Sequence, residues 1–320
     1  MSDTIGTMRA FWPAPSRLAS ERVASFTEGD VASVLVAIGL SNEQIEEVAS
    51  HWAEAQASGE WSSLLAMGCT MVARDRGNVD QPLPIWEELD DQGDVGRLFY
   101  FFLAALCCDD TIAFLRENAT PEHIIESTMN IYRLHAATHL RKHGTLGFDA
   151  GWWSLLVLRG ELLAIGSLQF HRVNLGVGTL APEWYNDDDP HTTLAGFRRG
   201  DASVGVHIPQ GADLTPTTLE RTFDEARRVL GRIWPTNTRR LATCRSWMLD
   251  ERLCTEIAPP RARRARPSTS RKSRSRRIVI SDVPNCAASS TMDASPSTRS
   301  RSAMVARRVL ESMAPHYVNF

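Results

Sequence analysis

The sequence predicts an α+β protein. An all-helical N-terminal domain spans residues 27–147, a mixed β-sheet domain follows over 148–257, and a basic low-complexity tail occupies 258–320. Residues 1–26 read as a flexible N-terminus. Three observations carry this. Apolar residues recur at helical spacing as far as about residue 145. From Gly151 the pattern turns to short strand-like runs punctuated by glycine. Composition then breaks at Ala258. The remaining residues hold 13 Lys and Arg against three acids (Asp282, Asp293 and Glu311), while the part before them carries a net charge of −13 and all nine tryptophans. The two parts were not shaped by the same folding constraint.

A chain of 320 residues with 43% hydrophobic content has material for two cores. No charged lead followed by an apolar run marks a signal peptide, and the longest apolar block, Leu98–Cys108, is far short of the roughly 20 residues of a membrane span. Six cysteines without CxxC spacing suggest reduced thiols in a cytoplasmic protein.

The helices have local signals. Ser41-Asn42-Glu43-Gln44 is a capping box opening a helix with Ile45, Val48, Ala49 and Trp52 inward. Trp61–Ala73 continues helical, and Gln81-Pro82-Leu83-Pro84 interrupts. Asp94 is placed to cap a very apolar helix, Val95–Cys108, which must be surrounded by protein. Thr120-Pro121-Glu122 opens another helix and Gly144 closes it. That helix carries His135, His139 and His143. Three such positions spread over about 12 Å at 1.5 Å per residue, too far for one ion. With Arg141 and Lys142 beside them, they read as a basic helix end favoured by the dipole, and no metal is expected.

In the sheet region, Trp152–Leu158 reads as a central strand, Arg159-Gly160 as its turn and Glu161–Val173 as the returning strand. Gly166 within it signals a bulge or a close backbone approach. Gly176–Ala202 is a long connection with Trp184, Tyr185, Asp187, Asp188, Asp189 and His191. It is either a solvated acidic loop or a lid for a cationic group. Arg240–Trp247 is a further strand, with Asp250 capping the helix expected after it.

The chemistry concentrates in Ser203–Trp234. Val204–Ile208 alternates as a strand, Pro209 ends the ladder, Gly211 permits a turn, and Thr215-Pro216 starts a helix with Leu219, Phe223, Ala226, Leu230 and Ile233 on its buried seam. A strand entering a helix N-terminus through a tight loop presents unpaired N–H groups, which attract phosphates. Asp213 in that loop is a rival for the same donors. With a single glycine, neither a Walker loop nor a dinucleotide fingerprint applies.

Four stretches, GRLFYFFLAAL (Gly96–Leu106), FDAGWWSLLVLRGELLAIGSLQFHR (Phe148–Arg172), VGVHIPQGADLTP (Val204–Pro216) and ATCRSWMLD (Ala242–Asp250), resemble an actinobacterial acyltransferase family with a helical N-terminal domain and a GNAT-like C-terminal domain. The resemblance covers roughly residues 30–257. It implies acetyl-CoA or another acyl-CoA as cosubstrate and a small-molecule or peptide amine as acceptor. It implies Val206, His207 and Ile208 beside the pantetheine arm, and Gln210, Gly211, Ala212, Leu214 and Thr215 at the diphosphate. The usual Q/R-x-x-G-x-G/A loop is missing here. Arg239 and Arg240 either assist the phosphates or lie on solvated surface. His207 becomes the candidate general base and Cys244 the candidate proton donor to the leaving thiolate, each with a structural role as its alternative. Gln169 and Arg172 are without an assigned role. A scaffold that no longer binds coenzyme A is the second reading.

The resemblance stops near Pro259, before a GNAT-like sheet is complete. The tail therefore reads as the product of a shifted reading frame, leaving the Arg240–Trp247 strand with an open edge and the chain inactive. A genuine disordered basic tail is the alternative, and DNA downstream of codon 257 separates the two. In that tail only Ile278-Val279-Ile280 and Ala303–Met313 have a pattern that could order locally. The run Arg261–Arg277 has no aromatic residue for base stacking, so nucleic-acid binding through it would be salt-sensitive and unspecific. No membrane role is expected.

Overall fold

A computed structural model describes residues 4–78, 89–174, 200–234, 241–245 and 277–281. The Gln81–Pro84 interruption, the acidic connection from Gly176 to Arg199, Arg239, Arg240, Asp250 and most of the tail lie outside the described residues. The chain divides into a helical unit ending at Ala164 and a sheet-bearing unit beginning at Ile165.

In the helical unit the elements are α1 (Thr4–Phe11), α2 (Arg17–Ser25), α3 (Glu28–Ala37), α4 (Asn42–Ser50), α5 (Trp52–Ala57), α6 (Gly59–Asp75), a 3-10 turn (Asp90–Gln92), α7 (Gly93–Glu117), α8 (Glu122–Met129), α9 (Ile131–His143) and α10 (Trp152–Leu158). The N-terminus expected to be flexible holds α1 and α2. Met8, Trp12 and Val23 are buried, and Arg22 pairs with Asp110 at 2.6 Å, so the segment is tied into the unit. Ser41 caps α4 with Gln44 completing the box, as the sequence predicts. The helix expected from Thr120 to Gly144 is two, broken at Asn130, and Gly144 closes α9 in the left-handed conformation at φ +74°.

The helix α7 lies at the centre of this unit, against α3, α6 and α10. Leu98 to Cys108 are buried without interruption, so no single face of the helix is wet. By length and composition the stretch from Asp90 to Glu117 could cross a membrane, yet 72% of its most apolar window is buried inside the protein. Asp94 sits in the first turn and accepts from Arg97 at 2.8 Å; it is not the N-cap, which is Gln92. Burial pushes the Cys108 thiol up, and the hydrogen bond shared with Cys107 together with burial does the same to Cys69, so both stay protonated.

Trp152–Leu158, expected to be a strand, is the helix α10. Every residue from Ser154 to Leu158 is buried. A segment without a wet face must still pair its backbone, and a helix does so within itself. Thr111 donates to the Leu158 carbonyl at 2.8 Å, and Tyr132 meets the Ser154 hydroxyl at 2.9 Å. The hairpin is instead made by β1 (Leu162–Ile165) and β2 (Leu168–Asn174), from the stretch read as one strand.

The sheet continues with β3 (Ala202–His207), α11 (Pro216–Ile233), β4 (Leu241–Arg245) and β5 (Arg277–Ser281), in the order β1-β2-β3-β4-β5. It is mixed: β2–β3 and β4–β5 pair antiparallel and β3–β4 parallel. The fold class read from the sequence, helices followed by a GNAT-like mixed sheet, is therefore present. One expectation is corrected. The edge of β4 is covered by β5, formed around the β-branched run Ile278-Val279-Ile280. Gly166, in the turn before β2, has φ +57°, and a Cβ there would lie 2.2 Å from the Thr222 hydroxyl of α11. Ser167 N donates to that hydroxyl at 3.2 Å, fastening the turn to the helix.

Candidate functional site

The strand β3 is flanked by β2 and β4. Its antiparallel register with β2 runs from Asn174↔Ala202 to Gln169↔His207. Its parallel register with β4 begins at Val204↔Ala242 and stops at Val206↔Cys244, one residue before each strand ends. At that end of the sheet the chain enters the turn to α11. Ala212 N donates to the Pro209 carbonyl at 3.1 Å, and Gly211 takes φ +76°. Thr215 is the N-cap residue in extended geometry, with Pro216 in the first turn.

Five of the expected binding residues gather in this turn. Gln210, Gly211 and Thr215 are exposed, and Ala212 and Leu214 are half-buried. Val206 is buried within β3, while His207 and Ile208 are half-buried at its end. The Thr215 side chain makes no bond to the helix amides. Asp213 instead fills the helix start: its carboxylate accepts from Thr215 N at 2.9 Å and from the Thr218 hydroxyl at 2.6 Å. Those bonds, the Thr218 hydroxyl foremost, hold its pKa below the usual carboxylate range. An anion arriving at this turn has to displace a carboxylate.

Strand alternation separates the two candidate catalytic groups. Neighbouring residues of a strand point to opposite faces, and paired residues share a face. Cys244 is paired with Val206, on the face where Phe170 meets Phe223 of α11 edge-on at 6.0 Å. His207 lies on the other face with Gln169, His171 and Ser203. The structure therefore does not bring His207 and Cys244 together. Burial pushes the Cys244 thiol up to about 11, which leaves it a weak proton donor towards a thiolate.

What the structure does bring together is His207 and His171, whose ring centroids are 5.7 Å apart. Gln169, His171 and Ser203 are all buried, which makes this a buried polar face. Burial, and secondly the neighbouring His171, push the His207 pKa down to about 3, so it is neutral at pH 7. His171 and Ser203 were missed by sequence reasoning. The alternation Gln169-x-His171 was a visible signal, but only the register places His171 beside His207. Arg172 lies on the α11 face, its guanidinium 6.0 Å from the ring of Trp234.

Two regions of the chain match known families. The family described as the N-acyltransferase N-terminal domain matches residues 29–160, and the GNAT-like C-terminal domain matches residues 162–266. Among curated proteins none matches. Solved structures share the fold. An acyltransferase in complex with decanoyl-CoA and teicoplanin superposes with a TM-score of 0.62 at 21% identity, over 80% of this chain and 70% of the other. An acyltransferase in complex with decanoyl-CoA gives 0.60 at 21%, over 80% and 72%. One with CoA and 10C-teicoplanin gives 0.58 at 22%, over 71% and 64%. By its two matched regions, the chain belongs to the acyltransferase family that joins an N-acyltransferase N-terminal domain to a GNAT-like C-terminal domain.

Proposed function

We propose that the chain is an acyl-CoA-dependent N-acyltransferase. The observation that carries this is the parallel β3–β4 pair, whose register ends at Val206↔Cys244 directly before the exposed turn and the start of α11. On this reading the peptide groups of His207 and Ile208, beyond the last β3–β4 pair, bond the amides of a pantetheine arm. The amides of the turn from Gln210 to Thr215 then face a diphosphate. Relatives of the same fold that bind decanoyl-CoA, CoA and teicoplanin support a long-chain acyl donor and an amine acceptor on a small molecule or peptide.

In the reaction the amine nitrogen attacks the thioester carbonyl. The C–N bond forms, the C–S bond breaks, the amine proton leaves to a base, and the thiolate is reprotonated. A base whose conjugate acid sits near 3 takes a proton from an ammonium poorly, so His207 serves this reading as a hydrogen-bonding group on the polar face. Cys244, on the other face with a raised pKa, is not its acid partner. The test is calorimetric titration of the full chain with acetyl-, octanoyl- and decanoyl-CoA. Binding that strengthens with chain length supports the reading; none at millimolar ligand overturns it. The bonds of Asp213 to Thr215 and Thr218 favour a second reading, a scaffold that does not bind coenzyme A, and the same titration decides between them.

A further inference from the structure

The helical unit holds a cluster that the proposed function does not use. His139 and His143 are four residues apart on the last turns of α9, hence on one face. Asp90, from the 3-10 turn before α7, meets them there. One ligand atom from each of the three lies within 4.8 Å of the others. The three-histidine arrangement considered from sequence is not the one that forms. His135 turns away, stacks on Phe148 at 4.6 Å and bonds the Asp149 carbonyl.

The His139 side chain is 1% exposed. Its Nδ1 is 2.8 Å from the Thr145 carbonyl, which can only accept, so Nδ1 carries a proton. The other nitrogen, Nε2, is 2.8 Å from Asp90 Oδ2. That contact is closed either by a proton on Nε2 or by a metal ion beside it. A proton would serve those two atoms alone. A metal ion engages His143 as well, whose ring centroid is 4.5 Å from that of His139.

Other features fit an ion. An imidazole ligand held through its second nitrogen by a backbone carbonyl is the usual arrangement at a metal. A Cβ at Gly147 would lie 2.4 Å from His139 Cε1, so the absence of a side chain at 147 lets the backbone close over the ring and fix it. The cluster lies at the carbonyl end of α9, where the dipole favours a cation. Asp90 is 30% exposed and His143 is exposed, which leaves a way in from solvent and a position for water. Two ligands each about 2.1 Å from zinc stand roughly 3.4 Å apart, a small side-chain adjustment from this geometry.

We propose that Asp90, His139 and His143 bind a divalent first-row ion, with Zn2+ the best match to two imidazoles and one carboxylate. Bound there, it clips the turn entering α7 to the end of α9. The full chain, stripped with a chelator, is titrated with Zn2+, and separately with Co2+ while its visible d–d bands are followed. One ion per chain is expected. His143→Ala and Asp90→Ala should each weaken binding by at least about tenfold and abolish the Co2+ bands. His143 is exposed, so His143→Ala tests the site even if Asp90→Ala fails to fold. No binding to the stripped protein, or binding unchanged in His143→Ala, overturns the proposal and leaves a protonated His139–Asp90 pair.

Discussion

His207→Gln is the variant with the most to say about the polar face of the sheet. The folded-state pKa of His207 is about 3 against an ordinary value of 6.5, so between those values the unfolded chain binds a proton that the folded chain does not. Stability from this group is therefore present above pH 6.5 and lost as pH falls towards 3. By linkage the loss between pH 7 and pH 5 is ~2 kcal/mol. His135, pushed down to about 4 chiefly by burial, adds a similar loss in the helical unit, and both proteins retain it. Urea unfolding of wild type and His207→Gln at the two pH values gives the His207 part by subtraction. The variant should be less sensitive to acid by ~2 kcal/mol. Equal loss in both proteins would refute the argument that His207 is folded in neutral. Activity gives the companion result. His207→Gln should keep kcat within about tenfold, whereas a loss of roughly 10²–10⁴ would make it the general base after all.

Three further changes test the helical unit and the sheet-bearing unit separately. Gly166→Ala places a Cβ against Thr222 at a φ of +57° and should cost about 2–3 kcal/mol, read as a fall in Tm; an unchanged Tm would show that the turn is not fastened to α11. Asp213→Asn removes one negative charge from the start of α11. A phosphate charge about 6 Å away in water contributes ~0.7 kcal/mol, so acyl-CoA should bind three- to tenfold tighter at low salt, by roughly the Coulomb terms involved. Unaltered affinity would place the diphosphate elsewhere. Arg159 and Glu161 form an ion pair at 2.7 Å with both side chains buried, so Glu161→Gln should destabilise the helical unit by about 3–5 kcal/mol in chemical denaturation.

Local signals in the sequence located the elements that depend on local chemistry. The Ser41 box, the Gly144 cap and the Thr215-Pro216 start are set by bonds within a few residues, and each begins or ends a helix where expected. Trp152–Leu158 could not be read this way. A run apolar at nearly every position has no period, and only its burial against α7 selects helix over strand. The strand, turn and helix of the candidate site were legible for the same local reasons. Its two faces were not, because assigning His207 to one and Cys244 to the other needs the pairings of β3 with β2 and β4. Asp90 beside His139 lay deeper still, since 49 residues separate them and nothing in either neighbourhood announces the other.

The position of α7 along the chain bears on how the protein is made. Twenty-five residues as apolar as Gly93–Glu117 are a hazard while a polypeptide emerges, since a membrane insertion machinery reads length and apolarity before any fold exists. Here the partners α3, α4, α5 and α6 are all translated first. At about 5–20 residues per second, α7 takes roughly one to five seconds to synthesise, long compared with helix formation, so the helices that bury it have already been made when it appears. Among the described residues, α8, the segment carrying Phe148 and α10 close over it afterwards. Vectorial synthesis thus acts as an intramolecular chaperone, and a circular permutant that began at Gly93 would forfeit it.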